Sequence, residues 1–137
     1  MKKEMRLEIN SVDDFRQSRK DIRMVLHDLF PEDMSFEVAV NEAINNAFWH
    51  GAKEVLFPIN ILCRWNDDEM KVVVRDYGPG FDVEKWTQEK TKTQEKLRQA
   101  AHNLAENGRG IWMMQEMCDE ILFSKGGQEV TLIKNRL

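Results

Sequence analysis

The chain has 137 residues, of which 42% are hydrophobic, and a formal net charge of -4. That length fits one domain with a buried core and excludes a disordered chain. The acidic balance argues against a nucleic-acid binder, because phosphate backbones favour clustered Lys and Arg. Charges of both signs run along the chain, which leaves room for a local basic contact patch.

The charged start, Met1-Lys2-Lys3-Glu4, has no apolar run behind it, and no stretch approaches membrane-spanning length. A cytoplasmic protein with no membrane contact is expected. The two cysteines, Cys63 and Cys118, have no metal-ligand spacing and lie in apolar stretches, so reduced core thiols are expected.

Met5, Leu7 and Ile9 alternate with Arg6 and Glu8, the period of a half-buried strand. Ser11 is placed to cap a following helix, with Asp13 and Asp14 near its positive end. Phe15, Ile22, Val25, Leu26 and Leu29 supply the apolar face of that helix, and Pro31 ends it. A second helix is predicted from about Ser35 to His50, stopped by Gly51. Its Phe36, Ala39, Val40, Ala43, Ile44 and Ala47 recur at helical spacing as a buried stripe.

Ile59, Ile61, Cys63 and Trp65 alternate as a strand, Asn66-Asp67-Asp68-Glu69 turns, and Met70 to Arg75 returns as a second strand. Asp76 therefore falls at a strand end. From Asp82 to Asn107 the chain is rich in Lys, Glu, Gln and Thr, with only a thin stripe of Leu97, Ala100, Ala101 and Leu104. A connection of that length is usually functional or mobile. A third helix is expected after Gly110, with Ile111, Met114, Cys118 and Ile121 on one side. Ile121 to Phe123 starts a strand, Lys125-Gly126-Gly127-Gln128 turns, and Val130 to Lys134 is the last strand. Strands interleaved with three amphipathic helices predict an α+β fold of two layers, helices over one mixed, mostly antiparallel sheet, as a single domain over residues 1–137.

Three segments carry chemistry together. On the second helix Glu42, Asn46 and His50 form one i, i+4, i+8 row along the border of the apolar stripe, while Asn45 points away from the stripe toward solvent. A carboxamide oxygen is a hard ligand suited to Mg²⁺, and a carboxylate one turn away accepts protons. In Asp76-Tyr77-Gly78-Pro79-Gly80-Phe81 an acid at a strand end is placed to accept a hydrogen bond from an amino group such as that of adenine. The glycines after it let a flat base approach the backbone. In Gly108-Arg109-Gly110 a glycine loop opens a helix, where backbone N–H groups attract phosphate and Arg109 adds charge. Each segment alone is as common in ordinary helices and turns; the combination, in this order, points to a nucleotide with its divalent metal.

The combination resembles the GHKL ATPase superfamily, and within it the small anti-sigma-factor serine/threonine kinases of bacterial partner-switching systems. Asn41 to Gly51 resembles their N-box, Val74 to Phe81 their adenine box, and Gly108-Arg109-Gly110-Ile111 their glycine box. The resemblance implies Glu42 as general base, Asn46 as the Mg²⁺ ligand and Asp76 as the acceptor for the adenine amino group. It implies that Gly78, Gly80, Gly108 and Gly110 shape the pocket for ATP, with residues 82–107 as its lid. The fold it implies is the superfamily's α/β sandwich. One departure is the last turn, Gly126-Gly127-Gln128-Glu129, where these kinases commonly carry Thr.

The function so implied is transfer of the ATP γ-phosphate to an anti-anti-sigma partner, combined with sequestration of a sigma factor. Kinases of this type are often homodimers, with the first helix and the sheet edge as candidate surfaces here. A second reading is a non-catalytic module that binds ATP and holds a partner. A third is a histidine-kinase catalytic domain, disfavoured because the segment before the N-box reads as strand plus helix and holds a single His, His27.

Overall fold

In the computed structural model, residues 3–47, 58–76, 114–124 and 128–136 are described. They form β1 (Lys3–Ile9), α1 (Val12–Leu29), α2 (Ser35–Asn46), β2 (Ile59–Trp65), β3 (Glu69–Arg75), β4 (Glu120–Ser124) and β5 (Glu129–Asn135). The strands make one sheet in the order β1-β2-β3-β5-β4. The expected two layers and α+β class are observed. All four pairings among the described strands are antiparallel, in keeping with the expected mostly antiparallel sheet.

Alternation sets the register. Leu7, Ile61, Val74, Val130 and Phe123 lie opposite one another across all five strands, and so do Met5, Cys63, Val72, Leu132 and Ile121. A slip by one residue on any strand would turn its apolar set to the other face. These two rows form the floor of the core, and α1 and α2 close it with Ile22, Leu26, Phe36, Ala39, Val40, Ala43 and Ile44. Phe30 and Phe36 meet as a tilted aromatic pair with centroids 5.9 Å apart.

Local signals set the element ends. The Ser11 hydroxyl accepts from the Asp14 N–H at 3.1 Å, and Asp14 Oδ2 accepts from the Asn10 N–H at 3.0 Å. The first bond satisfies a donor that the first helical turn leaves open, and the second ties the residue before the cap to that turn. α1 ends at Leu29 and is capped by Phe30, whose N–H donates to the Leu26 carbonyl, just before Pro31. The β2–β3 turn is held by Asn66 Oδ1, which accepts from the N–H groups of Asp68 and Glu69. Among the described residues no helix is long and apolar enough to cross a membrane.

The third expected helix is seen as a helical turn over residues 114–117. Met114 is buried there as expected, but Cys118 lies past the turn, and of the two readings of Ile121, helix face and strand start, β4 bears out the second. The cause is tertiary. The Asp119 N–H donates to the Ile133 carbonyl at 2.9 Å, and Asp119 Oδ2 accepts from the Asn135 N–H, which draws the chain into the ladder.

Candidate functional site

The site is built on α2 and the end of β3. α2 forms because its apolar residues repeat at 3-4 spacing, and all six of the expected stripe residues are buried. Its first residue is held by Asp33, whose Oδ1 accepts from the Ser35 N–H at 2.9 Å. At its other end the Ala47 N–H is shared between the carbonyls of Ala43 and Ile44. The predicted continuation to His50 and Gly51 lies outside the described residues.

Glu42 and Asn46 are both half-buried and stand one helical turn apart at the border of the stripe, as expected. Asn45, expected in solvent, is half-buried too.

Asp76 is buried, with 8% of its surface exposed. Met70, Val72 and Val74 alternate inward on β3, and Asp76 is the next residue in that series. The ladder reaches it: one step past the Arg75–Glu129 pair, the Asp76 N–H donates to the Gln128 carbonyl at 2.9 Å. A carboxylate therefore ends an otherwise apolar row on the face that α2 covers, and α2 packs on both β3 and β5. Burial of an acid in such a row is costly without partners, and neither Asp76 nor Glu42 is without one.

Among the described residues no three of His, Cys, Asp or Glu are placed to hold a metal. Asn46 contributes a carboxamide oxygen, a hard donor of the kind Mg²⁺ takes together with phosphate and water. The thiols take no part: burial pushes both Cys63 and Cys118 up to about 12, with Asp119 raising Cys118 further and Lys134 opposing. They stay protonated and unreactive at neutral pH. Gly78, Gly80, Gly108, Arg109 and Gly110, with the expected lid, lie outside the described residues.

Two features escaped the reading of the sequence. The Gln128 carbonyl fixes the Asp76 backbone, a role that any residue type there could fill and that leaves no signature. Glu37 is buried on α2 within 3.4 Å of Arg23 and 3.5 Å of His27 on α1. Its signal was available, since Glu37 precedes Val40 by three and Ile44 by seven residues along the helix and so borders the stripe.

The chain matches the family described as histidine kinase-like ATPase domain over residues 9–134. Serine-protein kinase RsbW of Staphylococcus epidermidis is 29% identical over 106 residues, covering 72% of this chain and 62% of that protein. Serine-protein kinase RsbW of Staphylococcus aureus (strain MSSA476) is 31% identical over 101 residues with the same two coverages. The chain thus spans less than two thirds of the length of these curated relatives. The family match takes in the end of β1, both helices and nearly all of the remaining sheet, and with it Glu42, Asn46 and Asp76: the chain belongs to the histidine kinase-like ATPase domain family.

Proposed function

We propose that the chain binds ATP with Mg²⁺ and transfers the γ-phosphate to a serine or threonine of an anti-anti-sigma partner, and that it sequesters a sigma factor when that partner is absent. The observation that carries this reading is the position of Asp76, a buried carboxylate on the sheet face beneath the helix that bears Glu42 and Asn46. The similarity to serine-protein kinases supports the choice of acceptor.

When bound, Mg-ATP supplies the phosphoryl group and a cation that offsets its charge during transfer. Asp76 accepts a hydrogen bond from the adenine amino group, and its backbone bond to Gln128 fixes its place at the end of the ladder. Asn46 offers its carboxamide oxygen to the metal. Glu42 accepts the hydroxyl proton of the protein acceptor. Gly78, Gly80, Gly108 and Gly110 let the backbone approach base and phosphates, Arg109 adds positive charge, and residues 82–107 act as the lid. The whole of residues 1–137 works as one domain, in the cytoplasm, and self-association places two such sites in one assembly.

The test is calorimetry of ATP binding with and without Mg²⁺, on the wild type and on Asn46→Ala. The expected result is Mg-dependent binding that the variant loses. Binding that is equal in the two proteins would remove Asn46 from the metal site. No binding by either would overturn the proposal and leave a module that works through protein contacts alone.

A further inference from the structure

Glu37, in the first turn of α2, is buried, with 9% of its surface exposed. Its Oε1 lies 3.4 Å from Arg23 Nε and 3.5 Å from His27 Nε2, both on α1. Among the described residues no hydrogen bond reaches that oxygen. These contacts lack the short, aligned bonds that make a buried pair strong. An acid in the first helical turn interacts favourably with the helix dipole, but it need not be buried to do so. Stability alone gives no reason to bury this one.

The rest of α2 supplies a reason. Residues four apart follow one another along a helix, so α2 presents parallel rows of side chains. Phe36, Val40 and Ile44 form a row of large apolar residues, and Ala39, Ala43 and Ala47 a row of small ones beside it, all of them buried. Next to the alanines runs the row of Glu42 and Asn46. Next to the large residues, on the other flank, runs the row that Glu37 begins. An alanine offers only its Cβ to the surface it packs on, so the alanine row makes few contacts that a roll of the helix would break. The flank of Glu37 is fastened instead. It meets Arg23 and His27 across the interface, beside the Phe30–Phe36 contact that joins the same two helices.

A small roll is enough to matter. Side chains end about 5–6 Å from a helix axis, so a roll of about 10° carries them about 1 Å. A displacement of that size at a reacting group costs about 10²-fold in rate. Glu42 and Asn46 follow Glu37 by about 7.5 and 13.5 Å along one continuous helix, so a roll fixed at Glu37 is fixed at both.

We infer that Glu37 is a positioning residue: its pairing with Arg23 and His27 of α1 locks the roll of α2 and so sets where Glu42 and Asn46 stand. What those two residues then do rests on the proposed function; the lock itself rests on the geometry of the two helices. Glu37 acts through the helix, from the flank opposite Glu42 and Asn46, and not by contact with nucleotide or metal.

Arg23 and His27 are both exposed, so Glu37→Gln leaves no charge buried, and it keeps the size of the side chain. The variant should fold like the wild type. The test uses the full chain. NMR of the ligand-free protein follows the backbone amides of Glu42 and Asn46 and the Asn46 carboxamide, and calorimetry follows ATP with and without Mg²⁺. In Glu37→Gln these signals should move, and affinity for ATP with Mg²⁺ should fall about tenfold, the lower end of the usual cost of losing a group that orients a metal ligand. Affinity for ATP without Mg²⁺ should not change. Glu4→Gln, which removes an exposed pairing with Arg6 and Arg64, should alter neither measurement. A merely structural role would lower both affinities together with the melting temperature, and that result overturns the lock. Signals of Glu42 and Asn46 that stay in place overturn it as well. A wild type that binds no ATP, with signals that still move in the variant, sinks the proposed function and leaves the lock. A wild type and a variant that bind Mg-ATP equally sink the lock alone.

Discussion

The backbone N–H of Asp76 donates to the carbonyl of Gln128 at 2.9 Å, joining the end of the central strand β3 to the start of β5. The bond extends the ladder by one residue and sets a carboxylate at its limit. Position and chemistry are thereby separated: the main chain places Asp76, and its side chain is left to make polar contacts. Asp76→Ala should therefore keep the fold and weaken ATP binding about ten- to hundredfold, the usual effect of losing a hydrogen bond to a charged group. Calorimetry beside a circular-dichroism melt checks this. Unaltered affinity with an unaltered melt would remove Asp76 from the adenine site.

Glu42 stands at the stripe border, where a side chain reaches both core and solvent. Glu42→Gln keeps the shape and loses the base. It should bind ATP like the wild type and transfer phosphate to its protein acceptor about 10²- to 10⁴-fold more slowly. Radiolabel transfer from ATP measures this. A variant as fast as the wild type would assign the proton to another group.

Phe36 is fully buried against Phe30 at the junction of the two helices. Phe36→Ala should cost about 3–5 kcal/mol, the sum of lost transfer energy and the cavity left behind. Phe30→Ala should cost less, because Phe30 is half-buried. Urea unfolding of the three proteins gives the ranking, and the reverse order would contradict the packing described.

Asp33 is held below its ordinary value of 3.8 by hydrogen bonds from Ser35, with Lys134 at 3.5 Å adding to the effect. A folded-state value below the unfolded one gives stability that is complete above 3.8 and disappears as pH falls through the folded value. Asp33→Asn should therefore melt below the wild type at neutral pH, and the gap should close on acidification. Glu4, lowered in the same direction by Arg6 and Arg64, is present in both proteins and drops out of the comparison. A gap that stays constant with pH would mean that the Asp33 charge takes no part.

What was legible beforehand was what neighbouring residues decide. Ser11 announces its cap, Asn66 its turn, and the alternation from Met5 to Ile9 its strand, because each rests on bonds or periods a few residues long. Glu42 and Asn46 were legible for the same reason, and Asp76 followed from the strand that ends at Arg75. The sheet order was not legible, nor was the Asp76–Gln128 bond, because they join segments far apart in the chain. Cys118 was assigned to a helix on spacing that fits one, and Ile121 was read both as its last turn and as the start of a strand; the Asp119 contacts with Ile133 and Asn135 decided for the strand. The place of Glu37 at the stripe border could be read from helical spacing, but its pairing with Arg23 and His27 could not, because that joins two helices.

The two anchors on β5 have a bearing on how such a domain diversifies. Asp76 is fastened at Gln128 and Asp119 at Ile133, positions about 17 Å apart by the rise of a strand. The polypeptide between Asp76 and Asp119 thus departs from and lands on fixed points of a single strand. A change of length between those points shifts no register in the sheet. Met114, buried in the core between the two anchors, has to keep its place through any such change.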